Sequence, residues 1–488
     1  MRPFVAAAVA ALLALTSLSG CATNPATGEQ MLTLGTTLQD EAKTGAQEHP
    51  KIIKEFGGVY DDPEVSGYIA IIASHLAAAS ELPNIEWHFT VLDSDEVNAF
   101  ALPGGYVYIT RGLLALAANE AEIAGVLGHE IGHVNARHGT QQQSQATLAG
   151  LGAAVLGIAL GSPAGDLASQ VGEGYIQHHS QAQEYQADLL GVRYLGRTGY
   201  DVRAMASFLD KLHAYSALEN KIAGRPPGEV DQMDFFASHP RTTDRVEQAT
   251  AEASKTTASG TTLNRDEFLK HMNGLLFGSS AEQGFVRGRD FIHPKMMFRF
   301  EAPEGFRLIN NPQAVLGIGP NNSMFQFDMD TRPNGASPTD YINRVWQPKV
   351  LLQGMERIDV NGLDGATAVG HGSTKAGQVD VRFIAIKDKS NRFFRFMMAT
   401  PPDQTAKLAP ALQGLTYSLR LLSPDEAKTI KPLRIVLHTV AAGETAQSLS
   451  AKMATSDYKD DWFRTLNGLQ PGQAVQPGQT VKLVAIEG

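Results

Sequence analysis

The sequence predicts an α+β protein of about three domains: a mainly helical domain with a small β-sheet, an α+β sandwich and a small βααβ module. Its length of 488 residues suggests roughly three domains at about 150 residues each. Long helical patterns fill the first half, and short β-rich runs with interspersed helices follow the polar segment 254–262. A composition of 43% hydrophobic and 19% charged residues is that of a folded globular chain.

Charge and cysteine content exclude several classes of protein. The formal net charge is −10, from 41 basic and 51 acidic residues, which argues against a nucleic-acid partner. The single cysteine, Cys21, excludes a disulfide framework and any thiolate-rich zinc site. A zinc site in this chain would therefore have to be built from histidines and carboxylates.

The N-terminal residues 1–20 are typical of a secretory signal peptide. Arg2 is followed by an apolar run over residues 4–15 that is too short to span a bilayer comfortably. The run ends in Leu18-Ser19-Gly20-Cys21, which resembles a bacterial lipobox, in which the cysteine is lipidated and becomes the first residue. Together with Ala22, this resemblance implies a lipid anchor in the outer membrane, facing the periplasm of a Gram-negative bacterium. The alternative is a plain signal peptide with an incidental cysteine.

The hydrophobic pattern predicts the elements of the first domain in order. We expect helices at residues 65–79 and 119–138, strands at 85–91 and 106–110, and a further helix that begins after Ser180. Asn119 and Ser180 are suitable N-caps, because each is followed three residues later by Glu or Gln. The apolar run 146–160 favours a buried helix over a membrane span, since it is short.

The strongest chemical motif is His129-Glu130-Ile131-Gly132-His133, an H-E-x-x-H inside the helix predicted at 119–138. At about 100° per residue, the two histidines lie about 40° apart on one face. Two neutral imidazoles at this spacing can bind one zinc ion, and Glu130 can reach a zinc-bound water and accept its proton. The alternative is a chance surface pattern. Glycines at 125, 128 and 132 each cost the helix about 1 kcal/mol, which indicates close packing or the approach of a ligand.

The third metal ligand does not lie further along the same helix. The metzincin spacing would place a histidine six residues after the motif, where Gly139 stands. His138 lies about 180° from His129 around a continuous helix, so we expect it to face away from the metal.

A better third ligand lies in the helix after Ser180. Glu184 and Asp188 share one face of that helix at i, i+4. Glu184 can complete a site of two histidines and one glutamate that leaves a position open for water. Asp188 can accept a hydrogen bond from a ligand histidine and so set its tautomer. The alternative for both residues is a solvated helix face.

These motifs together resemble the HtpX and CAAX-prenyl-endopeptidase family of gluzincin metallopeptidases, and its soluble periplasmic BepA-like branch fits best. The resemblance covers about residues 25–255. It implies a zincin-type fold, one zinc ion per chain and polypeptide substrates. Gln181 departs from the family, which usually has an arginine there; this weakens a local ion pair but touches no ligand.

The resemblance also assigns a role to two elements outside the helices. Residues 98–105, with Asn98, Ala99 and Phe100, look like an edge strand and turn that would pair with an extended substrate. The alternative is an ordinary hairpin. His239, in Ser238-His239-Pro240, would occupy the open zinc position as a latch and, once displaced, contact the oxyanion. The alternative is a surface-loop histidine.

Zinc-assisted peptide hydrolysis is the reaction that the resemblance implies. Zinc would polarise the scissile carbonyl and activate a water. Glu130 would accept the water proton and deliver it to the leaving amine. Zinc and His239 would stabilise the oxyanion.

The predicted boundaries are a signal peptide at 1–20, a metallopeptidase domain at 21–255, an accessory α+β domain at 263–425 and a small module at 435–486. The last module resembles a LysM domain in its order of strand, Gly443-Glu444-Thr445 turn, helices, turns and strand. That resemblance implies N-acetylglucosamine polymers, and hence peptidoglycan, as the ligand. The alternative is a divergent copy that only packs against the protease. Residues 300–306 loosely resemble the opening strand of PsbP/Mog1-like sandwiches and imply no function.

The leading prediction is a lipid-anchored periplasmic zinc endopeptidase that acts in the quality control of envelope proteins. One alternative is a latched, largely non-proteolytic cell-wall-binding adaptor or chaperone of outer-membrane assembly. A second alternative is a murein-directed enzyme, against which the protease motifs argue.

Overall fold

A computed structural model gives the structure of the chain, and its described residues are 21–148, 179–225, 239, 245, 248, 251, 255, 260–332, 335–374, 377–455 and 457–487. The predicted signal peptide 1–20 lies outside them, as do most of the apolar run 146–160 and of the linker 254–262. The chain divides into two units, and the α+β class is consistent with both. The first unit runs to Leu275 and includes Ile435–Met453 and Tyr458–Val484, and the second contains Leu276–Arg434, Ala454–Asp457 and Ala485–Gly488.

The first unit begins with alternating helices and short strands. In chain order they are β1 (Cys21–Thr23), β2 (Gln30–Leu32), α1 (Leu38–Glu55), α2 (Pro63–Ala78), β3 (His88–Leu92), β4 (Ala99–Leu102), β5 (Tyr106–Thr110), α3 (Arg111–Leu116), α4 (Glu120–Asn135), α5 (Gln181–Thr198), α6 (Ala204–Ile222) and α7 (Arg265–Met272). The small sheet has the order β3-β5-β4, with β3 parallel and β4 antiparallel to β5. Strand β4 is therefore one edge of this sheet.

Helix α4 starts where the sequence predicts but ends earlier. Its cap is Asn119, whose side chain accepts a hydrogen bond of 3.0 Å from the backbone of Glu122. The predicted continuous helix to His138 is wrong, because Arg137 has φ +54° and breaks the helical path. Arg137 is held in place by an ion pair of 2.7 Å with Glu41 and by the carbonyl of Thr36 at 2.7 Å. A new helical segment, residues 138–148, then leaves in another direction.

Glycines let α4 and α5 approach closely. A Cβ atom on Gly128 would lie 3.3 Å from Cα of Gly191, and one on Gly191 would lie 3.1 Å from the backbone nitrogen of His129. Gly132 faces the backbone of Ala187 in the same way, at 3.2 Å from its carbonyl oxygen. The glycines of the H-E-x-x-H helix thus bring the two helices that carry the candidate ligands into contact. Helix α5 begins at the predicted cap, Ser180, which forms a complete capping box with Gln183.

The second unit is built on two antiparallel sheets. Its strands are β6 (Leu276–Phe277), β7 (Phe285–Arg287), β8 (Asp290–His293), β9 (Phe298–Glu301), β10 (Arg307–Asn310), β11 (Val315–Ile318), β12 (Met324–Asp330), β13 (Gln353–Val360), β14 (Leu363–Thr374), β15 (Gly377–Lys387), β16 (Phe393–Thr400) and β17 (Arg420–Leu421). Its helices are α8 (Pro338–Asp340), continued by a π-helical turn over Tyr341–Trp346, α9 (Pro402–Ser418) and α10 (Pro424–Thr429), with a 3₁₀ turn at Pro320–Asn322. The sheet orders are β10-β11-β12-β16-β15-β14-β13 and β17-β9-β8-β7.

The core of the second unit is rich in phenylalanine. Alternate residues of β9, β12 and β16 point into the core and pack against leucines of α9. The strand residues are Phe298, Phe300, Phe325, Phe327, Phe394 and Phe396, and the helix residues are Leu408, Leu412 and Leu415. The rings of Phe300 and Phe327 lie 4.7 Å apart, centroid to centroid. This part of the chain is an apolar scaffold of sheets and one long helix, as the sequence texture predicts.

The C-terminal elements are β18 (Leu433–Thr439), α11 (Ala446–Ser450), α12 (Lys459–Asn467) and β19 (Thr480–Ile486), in the predicted order strand, two helices, strand. The sequence predicts a separate module at 435–486, whereas residues 435–453 and 458–484 group with the first unit. Lys482, only 1% exposed, explains part of this: its ammonium donates to the carbonyls of Leu116 at 3.3 Å and Ala117 at 2.7 Å, and also to that of Ala115. These carbonyls lie at the end of α3, where a helix lacks intrahelical donors.

Candidate metal centre

The H-E-x-x-H motif lies in the buried middle of α4, a helix whose every residue is buried. His129 and His133 are one turn apart, and their Nε2 atoms lie 3.0 Å from each other. Their side chains are 2% and 4% exposed. The structure therefore places the two histidines side by side in the protein interior, not on a solvated surface.

Glu184 on α5 completes the cluster. Its Oε1 lies 3.4 Å from Nε2 of His133, and its Oε2 lies 3.6 Å from Nε2 of His129. Asp188, one turn later, faces the other ring nitrogen of His129: its Oδ1 lies 2.9 Å from Nδ1. The structure thus brings together the residues that the sequence proposes as ligands and as the carboxylate behind a ligand.

His239 also reaches this cluster. Its Nδ1 lies 3.0 Å from Oε1 of Glu184 and 3.3 Å from Nε2 of His129. Its Nε2 lies 3.5 Å from Oε1 of Glu130, and the side chain is 1% exposed. Within the described residues, His129, His133, Glu184 and His239 offer four ligand atoms that all lie within 4.8 Å of one another.

Glu130 is the unusual carboxylate of the group. It is fully buried, yet neither of its oxygens accepts a hydrogen bond from any described residue. A buried carboxylate without donors is costly, so it persists where function requires it. Its position next to the cluster, with free oxygens, suits a group that takes a proton from a molecule bound there.

Arg245 is a residue of the site that the sequence analysis missed. Its guanidinium holds Asp188 through Nε at 2.7 Å and Nη2 at 2.8 Å, and reaches Oε2 of Glu184 through Nη1 at 2.7 Å. It is 3% exposed. The sequence offers no signal for this role, because Arg245 lies six residues after His239 in a segment without a clear periodic pattern.

His138 is also placed differently from the prediction. We expected it to face away from the metal, but the break at Arg137 turns it back toward α4. Its Nδ1 lies 2.8 Å from Nδ1 of His133, and its Nε2 lies 2.7 Å from Oε1 of Gln186. Burial lowers the pKa of His138 to about 4, so the ring is neutral at pH 7. It stands behind a candidate ligand rather than among the four converging groups.

The electrostatics of the cluster follow from burial and charge. Burial raises the pKa of Glu130 and holds that of His133 well below its usual range. Burial alone would raise the pKa of Glu184, but the neighbouring histidines hold it well below its usual range. Burial opposes a proton on His129, but hydrogen bonds with Asp188 and Glu184 raise its pKa to about 10.

The donor set fits a zinc ion. Two imidazole nitrogens lie 3.0 Å apart, with carboxylate oxygens at 3.4 and 3.6 Å. Electron-rich atoms this close to one another need a proton or a cation among them. Imidazole nitrogen and carboxylate oxygen are ligands that zinc prefers, and three protein ligands leave a position for water.

The proposed substrate strand β4 packs against helix α4, which carries the H-E-x-x-H motif. Ala99 and Phe100 are in edge strand β4, with Asn98 just before it, and all three side chains are buried. The backbone of Asn98 pairs with Thr110, and its amide oxygen is buried without a hydrogen-bond partner. Cys21 begins β1 and is exposed.

None of the described helices is long and apolar enough to cross a membrane.

Comparison with known proteins places a family domain over this site. Residues 63–253 match the sequence profile of peptidase family M48. The chain is 31% identical over 224 residues to the beta-barrel assembly-enhancing protease of Yersinia pestis, which is 43% of each chain. It is 31% identical over 207 residues to the protein of the same name from Escherichia coli K12, 40% of each chain. It is 30% identical over 171 residues to mitochondrial metalloendopeptidase OMA1 of Saccharomyces cerevisiae, 34% of this chain and 47% of that one.

The chain therefore spans less than half the length of these relatives. Solved structures match it only weakly. LpqN of Mycobacterium tuberculosis, involved in cell envelope biogenesis, is 11% identical with a TM-score of 0.23, covering 26% of this chain and 83% of LpqN. Cyanobacterial PsbP from Synechocystis is 11% identical with a TM-score of 0.22, covering 28% of this chain and 98% of that protein. Likenesses at this level carry no argument about function.

Proposed function

We propose that this chain is a zinc-dependent endopeptidase that cleaves polypeptides, since residues 63–253 match peptidase family M48. One observation carries the proposal. Three ligand side chains, His129, His133 and Glu184, converge in the protein interior beside Glu130, a buried carboxylate that accepts no hydrogen bond. The combination of a ligand cluster and an unengaged base is what metal-assisted hydrolysis needs.

His129, His133 and Glu184 would hold one zinc ion per chain. When bound, zinc would polarise the scissile carbonyl and lower the pKa of a bound water to about 7. Glu130 would accept the proton of that water and return it to the leaving amine. The burial that raises the pKa of Glu130 suits a group that must hold a proton between these two steps.

His239 acts as a latch in this proposal. Its imidazole lies against both Glu184 and His129, in space that a water or a substrate carbonyl would otherwise occupy. Displacement of His239 would open this space, and the freed imidazole could then donate a hydrogen bond to the developing oxyanion.

Edge strand β4 would bind the substrate backbone. It pairs with β5 on one side only, so its other side offers backbone donors and acceptors for strand addition. Ala99 and Phe100 are buried, so their side chains would support the strand while their backbone atoms contact the substrate. Asn98, with its unengaged buried amide oxygen, would add one polar contact.

The setting we propose is the periplasm, with Cys21 lipidated and the chain anchored to the outer membrane. The exposure of Cys21 is compatible with modification. The names of relatives that enhance beta-barrel assembly support a role in envelope-protein quality control. The LysM-like C-terminal elements would add contact with peptidoglycan. Fatty-acid labelling that a Cys21→Ser variant loses, and sedimentation with purified sacculi, test these two points.

A latched adaptor or chaperone is the second candidate function. The contact of His239 with Glu184 favours it, because a permanently closed site would bind zinc without cleaving anything. The two candidates differ in what happens when the latch is removed.

Zinc analysis and cleavage of an unfolded protein such as casein separate these functions. We expect one zinc per wild-type chain and slow cleavage that a chelator abolishes. His239→Ala removes the latch and the oxyanion contact together, so the latch is read from substrate binding, and we expect a lower KM in this variant. An unchanged or higher KM in His239→Ala with zinc retained would rule out the latch. Absence of cleavage by both zinc-loaded proteins would favour the adaptor, and absence of zinc would overturn the metallopeptidase proposal.

A further inference from the structure

The two histidines of the H-E-x-x-H motif are supported in different ways. Behind His129 stands a carboxylate, Asp188, at 2.9 Å from Nδ1. Behind His133 stands another imidazole, His138, at 2.8 Å from Nδ1 to Nδ1. His138 in turn lies 2.7 Å from Oε1 of Gln186 through its Nε2. His138 is 1% exposed, so no bulk water competes for these contacts.

The chemistry of a neutral imidazole sets the direction of this chain of hydrogen bonds. A histidine that binds a metal through Nε2 carries its proton on Nδ1 and donates it to a neighbour. For His133 that neighbour is Nδ1 of His138, which must then be the acceptor. The proton of His138 is therefore on Nε2, where it donates to the amide oxygen of Gln186. Each ring holds one proton, and every bond in the chain has one donor and one acceptor.

We propose that His138, together with Gln186, is a positioning residue that holds His133 in the tautomer whose Nε2 faces the metal position. This rests on the proposed zinc site. Gln186 lies on α5, two residues after Glu184, so the relay also connects the ring of one ligand to the helix that carries another. Its geometry depends on the break at Arg137, without which His138 would point away from His133.

A second metal ion is the competing interpretation of these residues. His133, His138 and His179 each have a ring nitrogen within 4.8 Å of the others. If one metal ion bound Nδ1 of His133 and another bound its Nε2, the ring would have to lose both of its N–H protons. In the relay, the ring keeps the proton on Nδ1. His179 also contacts His133 through its face, because the two rings stack at 3.9 Å between centroids. Nδ1 of His179 instead lies 2.9 Å from the amide nitrogen of Gln142.

The test is zinc affinity, measured on the full chain by competition with a chromophoric chelator. His138→Phe keeps the ring but removes the acceptor, so we expect zinc affinity about 10- to 100-fold weaker than wild type. His138→Asn places an amide oxygen where Nδ1 stood, so its affinity should stay within about threefold of wild type. His179→Phe preserves the stacked ring and is the matched control, also expected within about threefold.

Gln186→Ala tests the hydrogen bond between His138 and Gln186, and Gln186 is half-buried, so misfolding is less of a concern. Loss of this acceptor frees His138 to adopt the other tautomer, in which its Nδ1–H would face the Nδ1–H of His133. We expect a loss in zinc affinity of about 10-fold at most, and recovery in Gln186→Glu, which restores an acceptor. Thermal melts of the metal-free variants should match wild type, since the relay acts on metal binding rather than on the fold.

Two results would overturn the relay. One is wild-type zinc affinity in both His138→Phe and Gln186→Ala. The other is two zinc ions per wild-type chain that fall to one in both His138→Phe and His179→Phe, which would establish the second metal site. Neither result would affect the proposed peptidase activity, whereas a zinc-binding chain that cleaves nothing would leave the relay in place. A wild-type chain that binds no zinc would remove both proposals.

Discussion

Both ends of helix α4 bury carboxylates, but only those at the N-terminal end accept hydrogen bonds from described residues. At the N-terminal end, Glu120 accepts hydrogen bonds from Tyr200 at 2.5 Å and Asn264 at 2.8 Å, and also from Tyr68. In the second half, Glu130 accepts none from the described residues. A few turns of one helix thus separate a saturated buried carboxylate from an unengaged one.

Glu122 shows the saturated arrangement most fully. It accepts from the ammonium of Lys211 at 2.7 Å, the hydroxyl of Ser207 at 2.9 Å and the backbone of Ala118 at 2.7 Å. Beyond it, the Nε2 atoms of His129 and His133 instead lie 3.0 Å apart, beside the carboxylate of Glu184. Buried charges that satisfy one another stabilise a fold, whereas buried polar groups that converge without donors are typical of a site that binds a ligand. The charges at the N-terminal end of α4 are therefore paired within the fold, whereas its second half carries the groups of the proposed site.

The largest expected effect comes from Glu130→Gln. Loss of the base should lower the rate of casein cleavage by about 10² to 10⁴-fold, because general-base catalysis contributes about that much. Zinc content and denaturant stability should stay at wild-type values, since Glu130 makes no hydrogen bond that the amide would lose. Glu122→Gln is the matched control, with the opposite expected outcome: a less stable protein that still binds zinc. Full activity in Glu130→Gln would refute its assignment as the base.

Lys211→Met should be the most destabilising change at the structural end. It leaves Glu122 buried without its cation, which typically costs about 3–5 kcal/mol in the free energy of unfolding. Urea unfolding of the first unit measures it. The double variant Glu122→Gln with Lys211→Met removes both charges and should recover part of the loss. A cost below about 1 kcal/mol for the single variant would show that this ion pair is not the stabilising element we infer.

Lys482→Met should have a smaller effect on the same end of the protein. It leaves the carbonyls at the end of α3 without a donor, and a buried unsatisfied group costs about 1–3 kcal/mol. Because the methionine keeps most of the side-chain volume, the loss reports hydrogen bonding rather than a cavity. If Lys482 attaches the C-terminal elements to α3, these elements and the rest of the first unit should unfold in one transition. Two separate transitions in the wild-type protein would contradict it.

The smallest predicted effect is the change of that same cost over a single pH unit. Burial holds the pKa of Lys482 well below 10.5, so the folded protein gives up this proton more easily than the unfolded chain. The buried lysine therefore lowers the free energy of unfolding at lower pH, where the unfolded chain holds the proton more tightly. This cost disappears as the pH rises to 10.5. The destabilisation by Lys482→Met should then increase between neutral and alkaline pH, by at most about 1.4 kcal/mol per unit. A pH-independent difference would show that the lysine is not desolvated as described.

Local rules were enough for the parts of the site that lie within one element. The caps at Asn119 and Ser180 follow from side chains that bond to the first turn, and the one-turn spacing of His129 and His133 follows from helix geometry. The glycines of α4 correctly indicated a close approach, although not which helix approaches.

Long-range partners escaped the same rules. Arg245 holds Asp188 and Glu184 from a segment with no periodic pattern, so nothing local marks it. His138 was misplaced because a helical wheel assumes one continuous helix, and the positive φ of Arg137 ends that assumption. That φ depends on Glu41, which is distant in the sequence.

The sequence alone determined the chemistry available to this protein: two histidines one turn apart, a glutamate between them and two carboxylates on a second helix, because residue type and spacing within a helix are local properties. Only the tertiary structure decided what surrounds that chemistry. It brought Arg245 and His239 to the proposed ligands and turned His138 behind His133. It also grouped Ile435–Met453 and Tyr458–Val484 with the first unit, where Lys482 binds the end of α3. These contacts join residues that are distant along the chain, and packing and the burial of charge, rather than spacing, select them.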